Sequence, residues 1–81
     1  MATYSITFNN LQGISITFGG LSESVATELY LISMYAFNAC DMTAEDTGRI
    51  MMSRRYDDKF FTKTMPIDEM ISKMLKRINE G

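Results

Sequence analysis

The sequence predicts a single small α+β domain over residues 1–81, in which an N-terminal antiparallel β-hairpin packs on a long central helix and one or two further helices follow (ββααα). Three observations predict this architecture. The chain begins with two near-copies of an alternating pattern, continues with a long apolar stretch, and ends with an amphipathic helical pattern. A chain of 81 residues supports one modest core, and no linker or low-complexity tract divides it.

Two alternating segments predict the hairpin. Tyr4–Phe8 (YSITF) and Ile14–Phe18 (ISITF) alternate apolar or aromatic side chains with hydroxyl side chains, which is typical of half-buried strands. The intervening NNLQG supplies turn residues, and Gly13 is free to adopt a positive φ. Because a hairpin is not stable alone, we expect its apolar face to lie on a helix.

The stretch Glu23–Cys40 predicts this central helix. Ser22 or Ser24 can cap its N-terminus, where Glu23 complements the helix dipole. Apolar side chains occupy nearly its whole circumference, so we expect it to be buried on two sides. The second side carries four large side chains, which are Tyr30, Leu31, Met34 and Tyr35.

A C-terminal helix begins near Pro66, a residue that suits a first helical turn. Apolar residues then follow at the i, i+3, i+4, i+7 spacing: Ile67, Met70, Ile71, Met74, Leu75 and Ile78. We expect this helix to cover the second side of the central helix.

The middle of the chain allows two structures. A helix from Ala44 to about Arg55, with Thr43 as its N-cap, gives the ββααα order and is the preferred interpretation. A second hairpin, formed by Ile50–Tyr56 and Lys59–Thr64, gives the alternative order ββαββα.

Composition argues against catalysis. The chain has no histidine and one cysteine, and it contains neither a glycine-rich phosphate loop nor the spacing of a metal site. We therefore expect no enzyme activity, no cofactor and no metal. Cys40 is expected to be a buried, inert thiol. No apolar run of about twenty residues predicts a membrane span, and no basic signal region begins the chain, so we expect a cytoplasmic protein.

Charge and methionine content point to a protein partner. Residues 1–48 contain five acidic residues and no basic one, whereas residues 49–81 contain eight basic and five acidic residues. An acidic cluster can occupy a basic groove of another protein, and tyrosine or methionine can supply apolar anchors. Eight methionines either fill a loose core or line such a surface. The predicted partner-binding residues are Asp41, Glu45, Asp46, Tyr30, Met34 and Tyr35.

Two other interpretations stay open. A nucleic-acid-binding regulator would use the basic and aromatic residues Arg49, Arg54, Arg55, Tyr56, Lys59 and Lys63, which can neutralise phosphates and stack on bases. A net charge of −2, with Asp57 and Asp58 inside this stretch, argues against direct nucleic-acid binding. A homodimeric structural module would close through Tyr30, Leu31, Met34 and Tyr35.

One tract resembles a known family. The run GRIMM (Gly48–Met52), preceded by the acidic AEDT and followed about fifteen residues later by IDEMI, is similar to a tract in small phage-encoded anti-CRISPR proteins that act on type I CRISPR-Cas systems. The resemblance implies a binding inhibitor rather than an enzyme. Its partner would be a CRISPR-Cas effector subunit, in a surveillance complex or nuclease, in the cytoplasm of the host cell.

Overall fold

The computed structural model describes residues 2–57 and 65–81. Within these ranges, four strands form one antiparallel sheet, and two helices cover one of its faces, which we call the inner face. Within these two ranges, neither helix combines the length and the apolar character that a bilayer crossing requires.

The N-terminal alternating segments form a hairpin. Strands β1 (Tyr4–Asn9) and β2 (Ser15–Leu21) pair antiparallel, and their apolar side chains share the inner face. The side chain of Asn10 fixes the turn, because its Oδ1 accepts hydrogen bonds from the backbone N–H groups of Gln12 and Ile14, at 3.0 and 2.9 Å.

Helix α1 spans Glu23–Ile32 and is much shorter than the predicted central helix. It begins at Ser22, whose Oγ accepts a hydrogen bond from the backbone N–H of Val25 at 3.2 Å. A single 3₁₀ turn, Ser33–Tyr35, follows it. The predicted continuation of this helix to Cys40 is wrong, because the residues after the turn pair with β1 as a strand.

Strand β3 (Ala39–Ala44) pairs antiparallel with β1, with Cys40 opposite Phe8. Its side chains alternate between the two faces of the sheet. Cys40 and Met42 are buried on the inner face, whereas Asp41 points to the other face and is half-buried. The alternation is visible in the sequence, but the apolar residues before it made the whole stretch resemble one helix.

Strand β4 (Ile50–Arg55) pairs antiparallel with β3. Between them lies a turn in which Gly48 adopts a φ of 68°, a value that favours glycine. The predicted helix from Ala44 to about Arg55 is therefore wrong, because the backbone of this segment bonds to β3 across the turn. Thr43, its predicted N-cap, lies within β3.

The sheet order is β2-β1-β3-β4. The predicted architecture, a hairpin on a long helix followed by further helices, is wrong, because the end of the first predicted helix and most of the second lie in or between the strands β3 and β4. The alternative ββαββα has the observed element order but placed its second hairpin at Ile50–Tyr56 and Lys59–Thr64. In the structure β4 pairs with the preceding strand β3, and Lys59–Thr64 lies outside the described residues.

Helix α2 (Ile67–Glu80) packs beside α1 on the inner face. Arg77 of α2 forms an ion pair with Glu28 of α1, in which Nη2 donates to Oε1 at 3.2 Å. The core between the sheet and the helices consists of apolar side chains that are at most 4% exposed: Ile6, Phe8, Leu21, Val25, Ala26, Leu29, Ala36, Phe37, Cys40, Met42, Met70 and Met74.

The outer face of the sheet is mostly polar. Four polar residues in register form a row across the four described strands: Thr17, Thr7, Asp41 and Ser53. The hydroxyl groups of Thr7 and Thr17 are hydrogen-bonded at 2.8 Å, and Ser53 Oγ donates to Asp41 Oδ1 at 2.6 Å. Both described helices lie on the opposite face, so neither of them covers this row, in which Thr17 and Ser53 are exposed and Thr7 and Asp41 are half-buried.

Candidate protein-binding surface

An exposed apolar surface lies where α1 ends. Leu31, Met34 and Tyr35 are 53%, 38% and 53% exposed. Their spacing of three and four residues places them on one side of the last turn of α1 and the following 3₁₀ turn. We call these three residues the α1 end patch. Two of them, Met34 and Tyr35, belong to the predicted partner-binding set.

A buried arginine fixes the backbone that carries this patch. Arg54 of β4 is only 8% exposed and points to the inner face. Its guanidinium donates hydrogen bonds to the carbonyl oxygen of Tyr30 at 3.0 Å, to Ser33 Oγ at 2.7 Å and to the carbonyl oxygen of Phe37 at 3.4 Å. The Tyr30 carbonyl belongs to the last turn of α1, the negative end of the helix dipole, so a cation is stabilised there.

Two aromatic rings flank the same guanidinium. The Arg54 Cζ atom lies 5.0 Å from the ring centroid of Tyr30 and 5.6 Å from that of Tyr56, both within the range of cation–π attraction. No carboxylate among the described residues pairs with Arg54, and its Nε atom has no hydrogen-bond partner. Carbonyl dipoles, a hydroxyl group and ring faces therefore replace the usual counter-ion.

Ser33 completes the support of the patch. This residue is fully buried, and its Oγ donates to the carbonyl oxygen of Tyr30 at 2.7 Å while accepting from Arg54. The hydroxyl thus links the end of α1 to β4. The backbone that carries the α1 end patch is therefore held by the hydrogen bonds of Arg54 and Ser33.

The lone thiol lies in this buried region. Cys40 stands opposite Arg54 in the register of β3 and β4 and is fully buried. Burial raises the pKa of the Cys40 thiol to about 11, although a hydrogen bond with Ser33 and the charge of Arg54 oppose the shift. The thiol therefore stays protonated near neutral pH and packs as a small apolar side chain.

The three predicted acidic contact residues do not form one cluster. Asp41 lies in the row on the outer face, where Arg55 donates to both of its carboxylate oxygens, at 3.2 and 3.0 Å. This hydrogen bonding with Arg55 lowers the pKa of Asp41. Glu45 lies in the turn after β3, where its Oε1 accepts a hydrogen bond from the backbone N–H of Gly20 at 2.6 Å. Asp46 is exposed in the same turn.

The acidic residues and the α1 end patch lie in different parts of the molecule. Asp41 is on the outer face of the sheet, whereas the patch is on the helical side. Glu45 and Asp46 follow the C-terminal end of β3, whereas the patch lies near the segment that enters β3. Tyr30 is half-buried because it covers Arg54, so of the six predicted residues only Met34 and Tyr35 share the exposed apolar surface.

The predicted basic and aromatic set is also divided. Arg49 is exposed, Arg54 is buried with its guanidinium engaged inside the protein, and Arg55 is paired with Asp41. Tyr56 is half-buried beside Arg54. Lys59 and Lys63 lie outside the described residues. The described members therefore present no continuous basic surface, and nucleic-acid binding stays a prediction.

The GRIMM tract, Gly48–Met52, forms the end of the β3–β4 turn and the start of β4. The register of the two strands shifts at Met51, which is the extra residue of a β-bulge. Ile50 and Met51 are consequently both exposed, at 56% and 47%. The sequence analysis singled out the tract but did not predict that these two side chains are exposed, and no alternation or spacing signals a bulge.

Within 2–57 and 65–81, no three histidine, cysteine, aspartate or glutamate side chains converge in a way that could hold a metal ion. Comparisons with protein families, with curated proteins and with solved structures find no match to this chain.

Proposed function

We propose that this chain is a small protein-binding inhibitor of the anti-CRISPR type. It binds a type I CRISPR surveillance complex or its nuclease in the host cytoplasm and blocks nucleic-acid access or cleavage. The observation that supports a protein partner is the α1 end patch, in which three large apolar side chains stay in contact with water in a chain with a small core.

The composition of the patch suits an interface. Tyrosine is enriched among the residues that dominate binding energy, because it buries a large ring and still offers a hydroxyl group. Methionine adapts its shape to a partner surface. Leu31 adds further apolar area. Their backbone is fixed through Arg54 and Ser33, so binding would cost little additional ordering of the main chain.

The resemblance of the GRIMM tract supports the choice of partner. Its exposed residues, Ile50 and Met51, offer a second apolar contact at the start of β4, the outermost of the described strands on that side of the sheet. An inhibitor of this kind would act by occupying a surface of its partner rather than by catalysing a reaction. Inhibition is therefore expected to be stoichiometric and to end when the complex dissociates.

A pair of leucine variants tests the proposal. Leu31 and Leu75 both lie on helices and are 53% and 45% exposed, but only Leu31 belongs to the patch. We expect Leu31→Lys to weaken binding to a purified type I surveillance complex, or to its nuclease, by at least about tenfold, which equals about 1.4 kcal/mol. Leu75→Lys should bind like the wild-type protein. Calorimetry measures the affinity, and a DNA-cleavage assay measures the inhibition.

Three outcomes would contradict the proposal. The first is that the wild-type protein binds neither the surveillance complex nor its nuclease. The second is that both lysine variants bind equally well, and the third is that the bound protein leaves DNA binding and cleavage unchanged. Light scattering distinguishes a further case. A dimer that Leu31→Lys dissociates, while Leu75→Lys does not, would assign the patch to a second copy of this chain.

A further inference from the structure

Methionine residues occur in this protein in three distinct environments. Met42, Met70 and Met74 are buried in the core, and Met52 and Met65 are half-buried. Only Met34 and Met51 among the described methionines are exposed, at 38% and 47%. Core filling accounts for the first group, but it does not account for the two exposed side chains.

Exposed thioethers have a reactivity that buried ones lack. A peroxide transfers one oxygen atom to the sulfur, the O–O bond breaks and water leaves, so that the sulfur loses two electrons and the peroxide gains them. The product, methionine sulfoxide, is polar, and methionine sulfoxide reductases convert it back to the thioether. A buried sulfur reacts only when the surrounding structure opens. Its rate of oxidation is therefore reduced in proportion to the small population of the open state.

We propose that Met34 and Met51 are reversible oxidation sites of this protein, and that oxidation of Met34 makes the α1 end patch polar. Met34 shares this patch with Leu31 and Tyr35, so a sulfoxide there places a strongly hydrated group on the apolar surface. Its effect on partner binding rests on the proposed function, whereas the selectivity of the oxidation does not.

The fold tolerates these two modifications for a physical reason. Both side chains already face water, so a sulfoxide at either position buries no new polar group. A sulfoxide at Met70 or Met74, in contrast, would place a polar oxygen in the core without a partner. Peroxide is therefore expected to alter the surface before it unfolds the protein.

Peptide mass spectrometry of the full chain, treated with hydrogen peroxide for increasing times, tests the selectivity. We expect Met34 and Met51 to be oxidised at least about tenfold faster than Met42, Met70 and Met74. In urea, where the chain is unfolded, the rates should become similar. Circular dichroism should stay native while only the two exposed sites are oxidised, and methionine sulfoxide reductase should restore both. Oxidation of Met34 at the rate of the buried methionines, or loss of native structure together with it, would overturn the proposal.

Two matched variants separate the sites. Among the described methionines, oxidised Met51→Leu is expected to carry sulfoxide mainly at Met34, and oxidised Met34→Leu mainly at Met51. With the surveillance complex as the probe, we expect oxidation to weaken binding of Met51→Leu at least about tenfold, and to leave that of Met34→Leu nearly unchanged. An equal loss of affinity in both variants would show that oxidation of Met34 has no specific effect on the patch. If the unoxidised protein does not bind, the proposed function fails, while mass spectrometry still decides the oxidation sites.

Discussion

Arg54 and Arg55 are neighbours in β4, but their side chains lie on opposite faces of the sheet. Arg54 is buried on the inner face and donates to carbonyl and hydroxyl oxygens between two tyrosine rings. Arg55 is exposed on the outer face and pairs with the carboxylate of Asp41. The same charged group is thus held by dipoles and ring faces inside the protein, and by an opposite charge at the surface.

The difference between the two faces shows which arginine matters for stability. The full cost of desolvation is incurred when a buried cation loses its partners, and equally when buried acceptors lose their donor. A surface ion pair gains little, because water screens it and two long side chains must be ordered. We therefore expect substitutions on the inner face to lower the free energy of unfolding more than substitutions on the outer face. The following predictions test this order.

The largest effect is expected for Arg54→Ala. This change leaves the buried oxygens of Tyr30, Ser33 and Phe37 without the donor that Arg54 supplies. It also leaves a cavity between the rings of Tyr30 and Tyr56. We expect the free energy of unfolding, measured by urea denaturation, to fall by about 3 kcal/mol or more. The loss in Arg54→Lys should be intermediate, because an ammonium group keeps the charge but lacks the planar fork of donors with which the guanidinium reaches all three acceptors. A loss below about 1 kcal/mol in Arg54→Ala would contradict the inner-face argument.

A smaller effect is expected for Ser33→Ala, which removes one acceptor of Arg54 and one donor to the Tyr30 carbonyl. We expect a loss of about 1–2 kcal/mol in the same measurement. Because the two residues share one network, the double variant Ser33→Ala/Arg54→Ala should lose less than the sum of the single losses. Strict additivity would show that the hydroxyl and the guanidinium do not act together.

The smallest effect at neutral pH is expected for Arg55→Ala, on the outer face. Its guanidinium is solvated, so its removal should shift the urea midpoint far less than Ser33→Ala does. High salt, at about 1 M, should abolish what difference remains from the wild-type protein. A shift comparable to that of Arg54→Ala would reverse the ranking of the two faces.

The pH dependence of stability sharpens the outer-face prediction. Hydrogen bonding from Arg55 lowers the pKa of Asp41 in the folded protein below its ordinary value of 3.8. The carboxylate therefore contributes stability above that value, and the contribution is lost as the pH falls below it. Asp41→Asn should flatten the decline of the urea midpoint over this acidic range. An unchanged pH profile would show that the ion pair contributes nothing to folding.

Local patterns in the sequence predicted some elements because those elements are decided locally. The alternation in Tyr4–Phe8 and Ile14–Phe18 matches β1 and β2, and the apolar spacing after Pro66 matches α2. The stretch from Tyr30 to Cys40 was wrongly predicted to be helical throughout, because a run of apolar residues fits a buried helix and a buried strand equally well. The short alternation that follows it, in the second half of β3, was too brief to outweigh the run.

The candidate surface could be predicted only in part. The helical spacing of Leu31, Met34 and Tyr35 places them together on one side of a helix, but whether α2 covers that side depends on how the two helices pack. The structure leaves the three side chains exposed. The contact role of Asp41, Glu45 and Asp46 stays a prediction, but proximity in the chain did not show that Asp41 would lie on a strand and face its outer side, whereas Glu45 and Asp46 lie in the turn after it.

By itself, the sequence determined where the chain alternates and where it turns, since hydroxyl and β-branched side chains, glycine and proline act within a few residues. Only the tertiary structure decided that β3 pairs with β1 and that Arg54, rather than Arg55, enters the interior. The physical reason is that neighbouring residues of a strand always point to opposite faces. Which of them is buried depends on the strands and helices that lie beside it, and these come from distant parts of the chain.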